Sequence, residues 1–273
     1  MIVFPHCKIN LGLHVVRKRE DGFHDIETLF YPVFWKDILE VNEGIKDDFD
    51  MEISGLTISG NLNSNLIYKA WKLIKAEYSL PPIQVHLHKI LPMGAGLGGG
   101  SSDAAFMLKL LNLKFNLGIS TEKLRKYAAQ LGSDCPFFIE SKPCLATGRG
   151  EILTPISIDL SNYQIVIVMS KNISVGTAEA YSWVTPQQPK LSISDIIHLP
   201  IDEWKNNLIN DFEAPVIEHY PRIGEIKNEL YKAGAHYASM SGSGAAVFGI
   251  FDAPQSGLEL DFKLADCVVW KGE

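Results

Sequence analysis

The sequence predicts an α+β fold, and three observations lead there. Short β-branched stretches separated by turn residues dominate its first part, segments with apolar residues at helical spacing follow, and strand and helix never alternate regularly enough to build a parallel βαβ sheet. With 273 residues, 46% of them hydrophobic, the chain can bury one large core or two modest ones.

The elements read in order as follows. "KINLGLHVV" (Lys8 to Val16) is a strand, "RKREDGFH" a charged turn around Asp21 and Gly22, and "IETLFYPV" and "DILEVNE" are strands again. Leu66, Ile67, Ala70, Trp71 and Ile74 then recur at helical spacing behind a Ser64 or Asn65 cap. "IQVHLHKIL" (Ile83 to Leu91) alternates as a strand and runs into five glycines within the seven residues Gly94 to Gly100. After them "SDAAFMLKLLNLKF" and "STEKLRKYAAQLG" are predicted helices, the second capped at Ser120 or Thr121 and closed at Gly132. From about Tyr163 a second unit begins with the strand "YQIVIVMS", continues through helices near "SISDIIHL" and "YPRIGEIKNELYKAGA", and ends in the strands "YASMS" and "AAVFGIF". The expected division is therefore 1–158 and 159–273. No internal repeat is visible.

Composition narrows the function. The formal charge is −7 and no Lys/Arg run exists to neutralise successive phosphates, so nucleic acid is not an expected partner. Cys7, Cys135, Cys144 and Cys267 are scattered and form no CxxC, as reduced thiols of a cytosolic protein would. The opening "MIVFPHCKIN" is too short in apolar residues for a signal peptide, and apolar runs such as "IVIVM" fall far below the roughly 20 residues of a membrane helix. A cytoplasmic enzyme or binding protein, with no membrane and no obligate protein partner, is the expectation.

The glycine stretch carries the chemistry. Gly94, Gly96 and Gly99 match G-x-G-x-x-G, yet "NLGISTEKL" occupies the place where a dinucleotide fold needs a strand ending in an acidic residue. The same residues nearly fit a P-loop from Gly94 through Gly99 to Ser101, but Gly100 stands where the lysine belongs, and the HRD and DFG of protein kinases are missing. What these motifs share still applies: bare backbone lets N–H groups approach an anion, and the following helix presents its positive end. Ser101, Ser102 and Asp103 are expected to cap that helix, a Cβ at Gly98 or Gly99 to stand where a triphosphate approaches, and the Ser101 hydroxyl to be able to hold Mg²⁺. A flexible linker before a capped helix is the plain alternative. His86 and His88 share a strand face, but no third ligand is placed by spacing and HExxH is absent, which argues against a metal enzyme.

"PMGAGLGGGSS" resembles the ATP-binding signature of the small-molecule kinases grouped with galactokinase, homoserine kinase, mevalonate kinase and phosphomevalonate kinase. "PHCKINLGLHV" resembles their first motif and "MSGSGAAVFGIF" their third. "DGFHDIETLF", "LGSDCPFF" and "GRGEILTPI" are similar to the members that phosphorylate the 2-hydroxyl of a cytidine-diphosphate-linked methylerythritol, in the non-mevalonate route to isoprenoid precursors. The resemblance spans nearly the whole chain. It implies a two-domain fold, the N-terminal domain like the second domain of ribosomal protein S5 and the C-terminal one ferredoxin-like. It also implies ATP, with Mg²⁺ accompanying the nucleotide, and a small-molecule substrate.

Phosphoryl transfer needs positioning, charge stabilisation and an activated hydroxyl. Asp134, after a helix end and before Pro136, resembles the family's catalytic aspartate and would act as base; a turn aspartate is the alternative. Lys8, among apolar strand neighbours, resembles the active-site lysine, against a strand-edge lysine. Asn10 shares its strand face, and the resemblance implies that it would hydrogen-bond the acceptor; an exposed strand polar residue is the alternative. The resemblance gives ATP contacts to Asn65, Lys89 and the run Pro92, Met93, Gly94, Ala95, Gly96, Leu97, Gly98, Gly99, Gly100, Ser101 and Ser102, where a helix cap (Asn65) and a solvated lysine (Lys89) are the alternatives. It gives the cytidine end to Phe23, His24, Thr177 and Tyr181, with Phe23 standing where a tyrosine is common, so that a hydroxyl is missing there. Core packing is the alternative for both Phe23 and Tyr181. Asp211 matches a family position without an assignable role. A homoserine- or mevalonate-type kinase and a non-catalytic nucleotide-binding protein remain the other readings.

Overall fold

The computed structural model describes residues 1–45, 47–58, 60–253 and 266–272. In chain order the elements are β1 (Ile2–Val3), β2 (His6–Lys18), β3 (His24–Lys36), β4 (Ile38–Glu43), β5 (Phe49–Gly55), α1 (Leu66–Glu77), β6 (Ile83–Lys89), α2 (Gly99–Lys114), α3 (Thr121–Leu131) and α4 (Phe137–Glu140). They continue with β7 (Cys144–Thr147), β8 (Ile152–Pro155), β9 (Tyr163–Ser170), α5 (Thr177–Trp183), α6 (Ile193–Ile196), α7 (Ile201–Asn207), α8 (Glu213–His219), α9 (Pro221–Lys232), β10 (Tyr237–Met240), β11 (Val247–Asp252) and β12 (Cys267–Lys271). Two compact units form: Met1–Cys7 with Phe34–Met93 and Gly98–Lys142, and Lys8–Val33 with Gly94–Leu97 and Pro143–Glu273. Among the described residues no helix is long and apolar enough to cross a membrane. All four cysteines are buried.

The first unit holds the sheet β1-β4-β6-β5, in which β4 runs antiparallel to both β1 and β6 while β5 runs parallel to β6. Parallel neighbours need a crossover, and α1 supplies it, giving one βαβ unit. The α1 spacing works as read: Ile67, Ala70, Trp71 and Ile74 are buried, and Asn65 Oδ1 caps the helix by accepting the Ile67 N–H at 2.8 Å. Ser120 caps α3 through the Lys123 N–H, and Gly132 ends it. The sequence leaves β5 unassigned because Asp50 and Glu52 interrupt it and none of its residues is fully buried; pairing with β6 makes it a strand. On that sheet the Ser54 hydroxyl lies 2.9 Å from both His86 Nε2 and His88 Nδ1, so one serine serves both histidines. No group of three or more His, Cys, Asp or Glu that could hold a metal occurs among the described residues.

The second unit holds β2-β3-β7-β8 and the antiparallel sheet β10-β11-β9-β12. Counted from β9, the latter order read backwards is fourth, first, third, second strand, the order of a ferredoxin-like sheet. Ile223, Ile226 and Leu230 of α9 and Val216 of α8 join Val166, Val168 and Val247 of the sheet in one core. The short helices α5, α7 and α8 escape a sequence reading because two turns hold too few apolar positions to display a period.

His236 clamps this unit, with Nδ1 2.7 Å from Asp202 and Nε2 3.0 Å from Asp252. The hydrogen bond to Asp202 is the main cause that raises its pKa, and Asp252 adds to it against the opposing effect of burial. A pKa raised on folding contributes stability that is complete below the unfolded value of about 6.5 and is lost as pH rises through the folded one. Thermal melts of the wild type and His236→Asn should therefore differ most at acidic pH and converge above the folded pKa. A gap that widens with pH would refute the clamp.

Candidate active site

The glycine stretch leaves β6 at Lys89, and how it is held differs from the expectation in two respects. Gly98, in the left-handed region at φ 71°, is the N-cap of α2 and makes no side-chain bond, so Ser101, Ser102 and Asp103 lie inside the first turns rather than capping them. Glycine alone adopts that turn without strain, and it leaves the first amides of α2 uncovered. A Cβ at Gly99 would meet Lys89 Nζ at 3.2 Å and Leu91 Cβ at 3.3 Å, so this face is packed inward. At Gly100 a Cβ would meet nothing within 4 Å.

Lys89 is not solvated. Its side chain is fully buried, donating to Asp37 Oδ2 at 2.5 Å and Asp103 Oδ2 at 2.7 Å. Burial works against the Lys89 ammonium, but Asp103 and Asp37 outweigh it and hold its pKa above the ordinary lysine value. Burial, opposed by Lys89 and reinforced by Asp37, pushes the Asp103 carboxyl up to about 7. Asp37 Oδ1 also accepts the N–H groups of Ile90 at 2.6 Å and Leu91 at 2.8 Å. One carboxylate thus ties down the chain entering the glycine loop, while Asp103 ties the lysine to the helix leaving it. Asp37 belongs to no motif, and nothing in the sequence alone singles it out.

Beside the helix start lies a cavity of about 320 Å³, within the size range of small-ligand pockets. Met51, Ile53, Leu66 and Met93 make its apolar walls, and Asn65 and Gly100 contribute polar edges. Asn65 has spent its side-chain oxygen on capping α1, which leaves the amide nitrogen as a donor. The lining suits an apolar group bordered by polar contacts from Asn65 and Gly100.

Asp134 sits half-buried in the turn between α3 and α4, fixed by Gly132 before it and Pro136 after it. Burial pushes the neighbouring Cys135 thiol up to about 12, so Cys135 stays protonated and offers no competing nucleophile.

In the second unit Lys8 is buried, at 3% exposure, with its ammonium donating to Asn10 Oδ1 at 2.6 Å and to the Gly96 carbonyl at 3.0 Å. Asn10 Nδ2 donates to Thr28 Oγ1 at 2.9 Å, and Thr28 donates to the Gly12 carbonyl at 2.6 Å. The Ser241 hydroxyl donates to the Gly96 carbonyl at 2.9 Å. Lys8 and Asn10 thus share a strand face, as their spacing predicts. Gly96, at φ 73°, cannot be replaced, since a Cβ there would fall on the Ser241 carbonyl. Ser241 lies within the third glycine motif and so is visible in the sequence, whereas Thr28 is not: its hydroxyl looks like any strand threonine until the fold brings Asn10 against it.

His24 and Tyr181 stack at 4.6 Å with an interplanar angle of 17°, and burial, aided by Lys18, lowers the His24 pKa so that its ring stays neutral near pH 7. Phe23 is 53% exposed, with the Arg149 guanidinium over its ring at 4.5 Å. Thr177 is exposed at the start of α5, 3.3 Å from the Ser243 hydroxyl. Asp211 acquires a structural role: Oδ2 accepts the Val15 N–H at 2.8 Å and Oδ1 lies 3.3 Å from His14 Nδ1. Its neighbour Asn210, also unmarked in the sequence, donates from Nδ2 to the carbonyls of Met240 and Gly242 and so pins the third glycine motif.

Two family models match the chain, described as the GHMP kinases N terminal domain over residues 65–142 and GHMP kinases C terminal over 199–260. A protein of Bacteroides fragilis named 4-diphosphocytidyl-2-C-methyl-D-erythritol kinase is 50% identical over 269 residues, 98% of each chain. A solved structure described as 4-(cytidine 5'-diphospho)-2C-methyl-D-erythritol kinase superposes with a TM-score of 0.82 at 30% identity, covering 100% of this chain and 98% of that one. A homoserine kinase structure from Cytophaga hutchinsonii reaches a TM-score of 0.72 at 15% identity, covering 98% and 95%, which shows a shared fold alone.

Proposed function

Because the chain belongs to the GHMP kinases, and within them to the 4-diphosphocytidyl-2-C-methyl-D-erythritol kinases, we propose that it transfers the γ-phosphoryl group of ATP to the 2-hydroxyl of 4-diphosphocytidyl-2-C-methyl-D-erythritol. The 50% identity across 98% of both chains carries this reading over a homoserine or mevalonate kinase. Residues 1–158 would hold the nucleotide and 159–273 would form the ferredoxin-like domain, a division that the four-stranded sheet starting at Tyr163 supports.

The acceptor hydroxyl gives its proton to Asp134 as its oxygen attacks the γ-phosphorus. The bond to the β-bridging oxygen breaks, and ADP leaves with the electron pair. Lys8, held by Asn10 and the Gly96 carbonyl, stabilises the charge that develops at the acceptor. The run Pro92 to Ser102 cradles the phosphates, with backbone N–H groups from Met93 onward since proline has none, Asn65 edges the adenine cavity, and Lys89 serves the nucleotide by holding the loop from behind. Mg²⁺, when bound, would neutralise phosphate charge; the Ser101 hydroxyl, in the first turn of α2 and hydrogen-bonded to the Cys135 thiol, would be the protein group to hold it. Phe23, His24, Thr177 and Tyr181 receive the cytidine, and a neutral His24 can both donate and accept at the base edge.

The test is to mix protein, ATP, Mg²⁺ and the cytidine substrate, and to follow ADP release together with product mass, running homoserine, mevalonate and the uridine analogue in parallel. Turnover of the cytidine compound above the others is expected; preference for homoserine or mevalonate would overturn the assignment. Two glycine variants check the cradle. Gly100→Val, entering open space, should keep stability within about 1 kcal/mol and lower ATP affinity, whereas Gly99→Val, pressed on Lys89 and Leu91, should cost about 1–3 kcal/mol of stability. Undiminished ATP affinity in Gly100→Val would place the phosphates elsewhere.

A further inference from the structure

Of the five arginines in the sequence, four are ion-paired: Arg17 with Asp25, Arg19 with Asp21 and Asp25, Arg125 with Glu140, and Arg222 with Asp266. Arg149 is the exception. Among the described residues its guanidinium has neither a hydrogen bond nor an ion pair, and it lies over the Phe23 ring at 4.5 Å. The nearby Asp21 carboxylate is engaged by Arg19 Nε, 3.1 Å from both oxygens.

Both members of the stack are carried on fixed turns. The Arg149 N–H donates to Glu151 Oε2 at 2.7 Å, and the Gly148 carbonyl accepts the Ile26 N–H at 2.7 Å. Across from it the Phe23 N–H donates to Asp21 Oδ1 at 3.1 Å, and the Phe23 carbonyl accepts the Arg19 N–H at 2.8 Å. Phe23 remains half exposed. A guanidinium stacked on an aromatic face is held in orientation while the donors around its edge stay available. Asp21 feels the Arg149 charge but forms no hydrogen bond or ion pair with it, so in a chain of net charge −7 this half-buried arginine keeps its donor fork in reserve for an anion that comes and goes. Phosphate oxygens match that fork bidentately. The residue following Phe23 is His24, which stacks with Tyr181, and both are among the residues proposed above to receive the cytidine.

We propose that Arg149 is a substrate-binding residue whose guanidinium, supported by Phe23, donates to the diphosphate oxygens of the nucleoside-diphosphate substrate. The proposal rests on the cytidine reading of His24 and Tyr181.

Calorimetric titration of CDP and of cytidine, with the ATP site saturated by a non-hydrolysable analogue, separates the contributions. In Arg149→Gln the affinity for CDP should fall about 10- to 100-fold, the range of one or two hydrogen bonds to a charged group, while that for cytidine changes less than about threefold. Arg149→Lys, which keeps the charge but not the fork, should recover part of the affinity. The KM of the full substrate should rise in parallel, with kcat at saturation within about twofold of wild type. Equal losses for CDP and cytidine would mean that Arg149 acts through Phe23 alone, and an unchanged CDP affinity would remove it from the site; either overturns the assignment. A wild type that binds neither compound overturns the proposed function itself, and this inference with it.

Discussion

Asp134→Asn should lower kcat by about 10²- to 10⁴-fold while changing the KM of both substrates far less. The substitution keeps the shape of the side chain in the turn between α3 and α4 and removes its capacity to accept a proton. The adjacent Cys135 does not replace that capacity, because burial pushes its thiol up to about 12. Lys8→Met should likewise depress turnover more than ATP affinity, since Lys8, held by Asn10 and the Gly96 carbonyl, is proposed to act at the acceptor. Single-turnover measurements under conditions where chemistry limits the rate decide the matter. Near-full activity of Asp134→Asn there would put the base elsewhere.

Asp37→Ala should be the most destabilising single substitution outside the apolar core, at about 3–5 kcal/mol. Its side chain is fully buried, and it neutralises Lys89 while satisfying the N–H groups of Ile90 and Leu91. Removal leaves the buried Leu91 amide and the partly buried Ile90 amide without an acceptor, and a buried ammonium with one carboxylate in place of two. A cost of that size is a large share of the roughly 5–15 kcal/mol that holds a typical domain together. Asp37→Asn, which keeps the acceptor oxygen and gives up the charge, should fall between the alanine variant and wild type. ATP affinity should fall in any folded variant, because Ile90 and Leu91 lead directly into the glycine loop. Urea denaturation measures the first effect and nucleotide titration the second; a destabilisation below about 1 kcal/mol for the alanine variant would show that the triad does not anchor the loop.

The sequence by itself determined whatever depends on neighbours along the chain. The helical spacing of Ile67, Ala70, Trp71 and Ile74, the caps at Asn65 and Ser120, the alternation of β6 and the bare backbone from Gly94 to Gly100 are local patterns, and each has the form it predicts. The shared face of Lys8 and Asn10 was legible for the same reason, since a strand's period of two needs no partner to be known. Tertiary structure alone decided which polar groups are spent on one another. Asp37 and Asp103 lie 52 and 14 residues from Lys89, and nothing in "HLHKIL" distinguishes a solvated lysine from one sealed between two carboxylates. Asp211 and Asn210 became supports, Thr28 joined the Lys8 network through Asn10, and Arg149 came to lie over the Phe23 ring, all through the meeting of distant segments. The cap of α2 moved from the serines to Gly98 because a left-handed residue there starts the helix sooner. Local conformational preferences are written residue by residue, whereas the cost of burying a charge or an amide depends on which distant group meets it, and only the folded chain supplies that group.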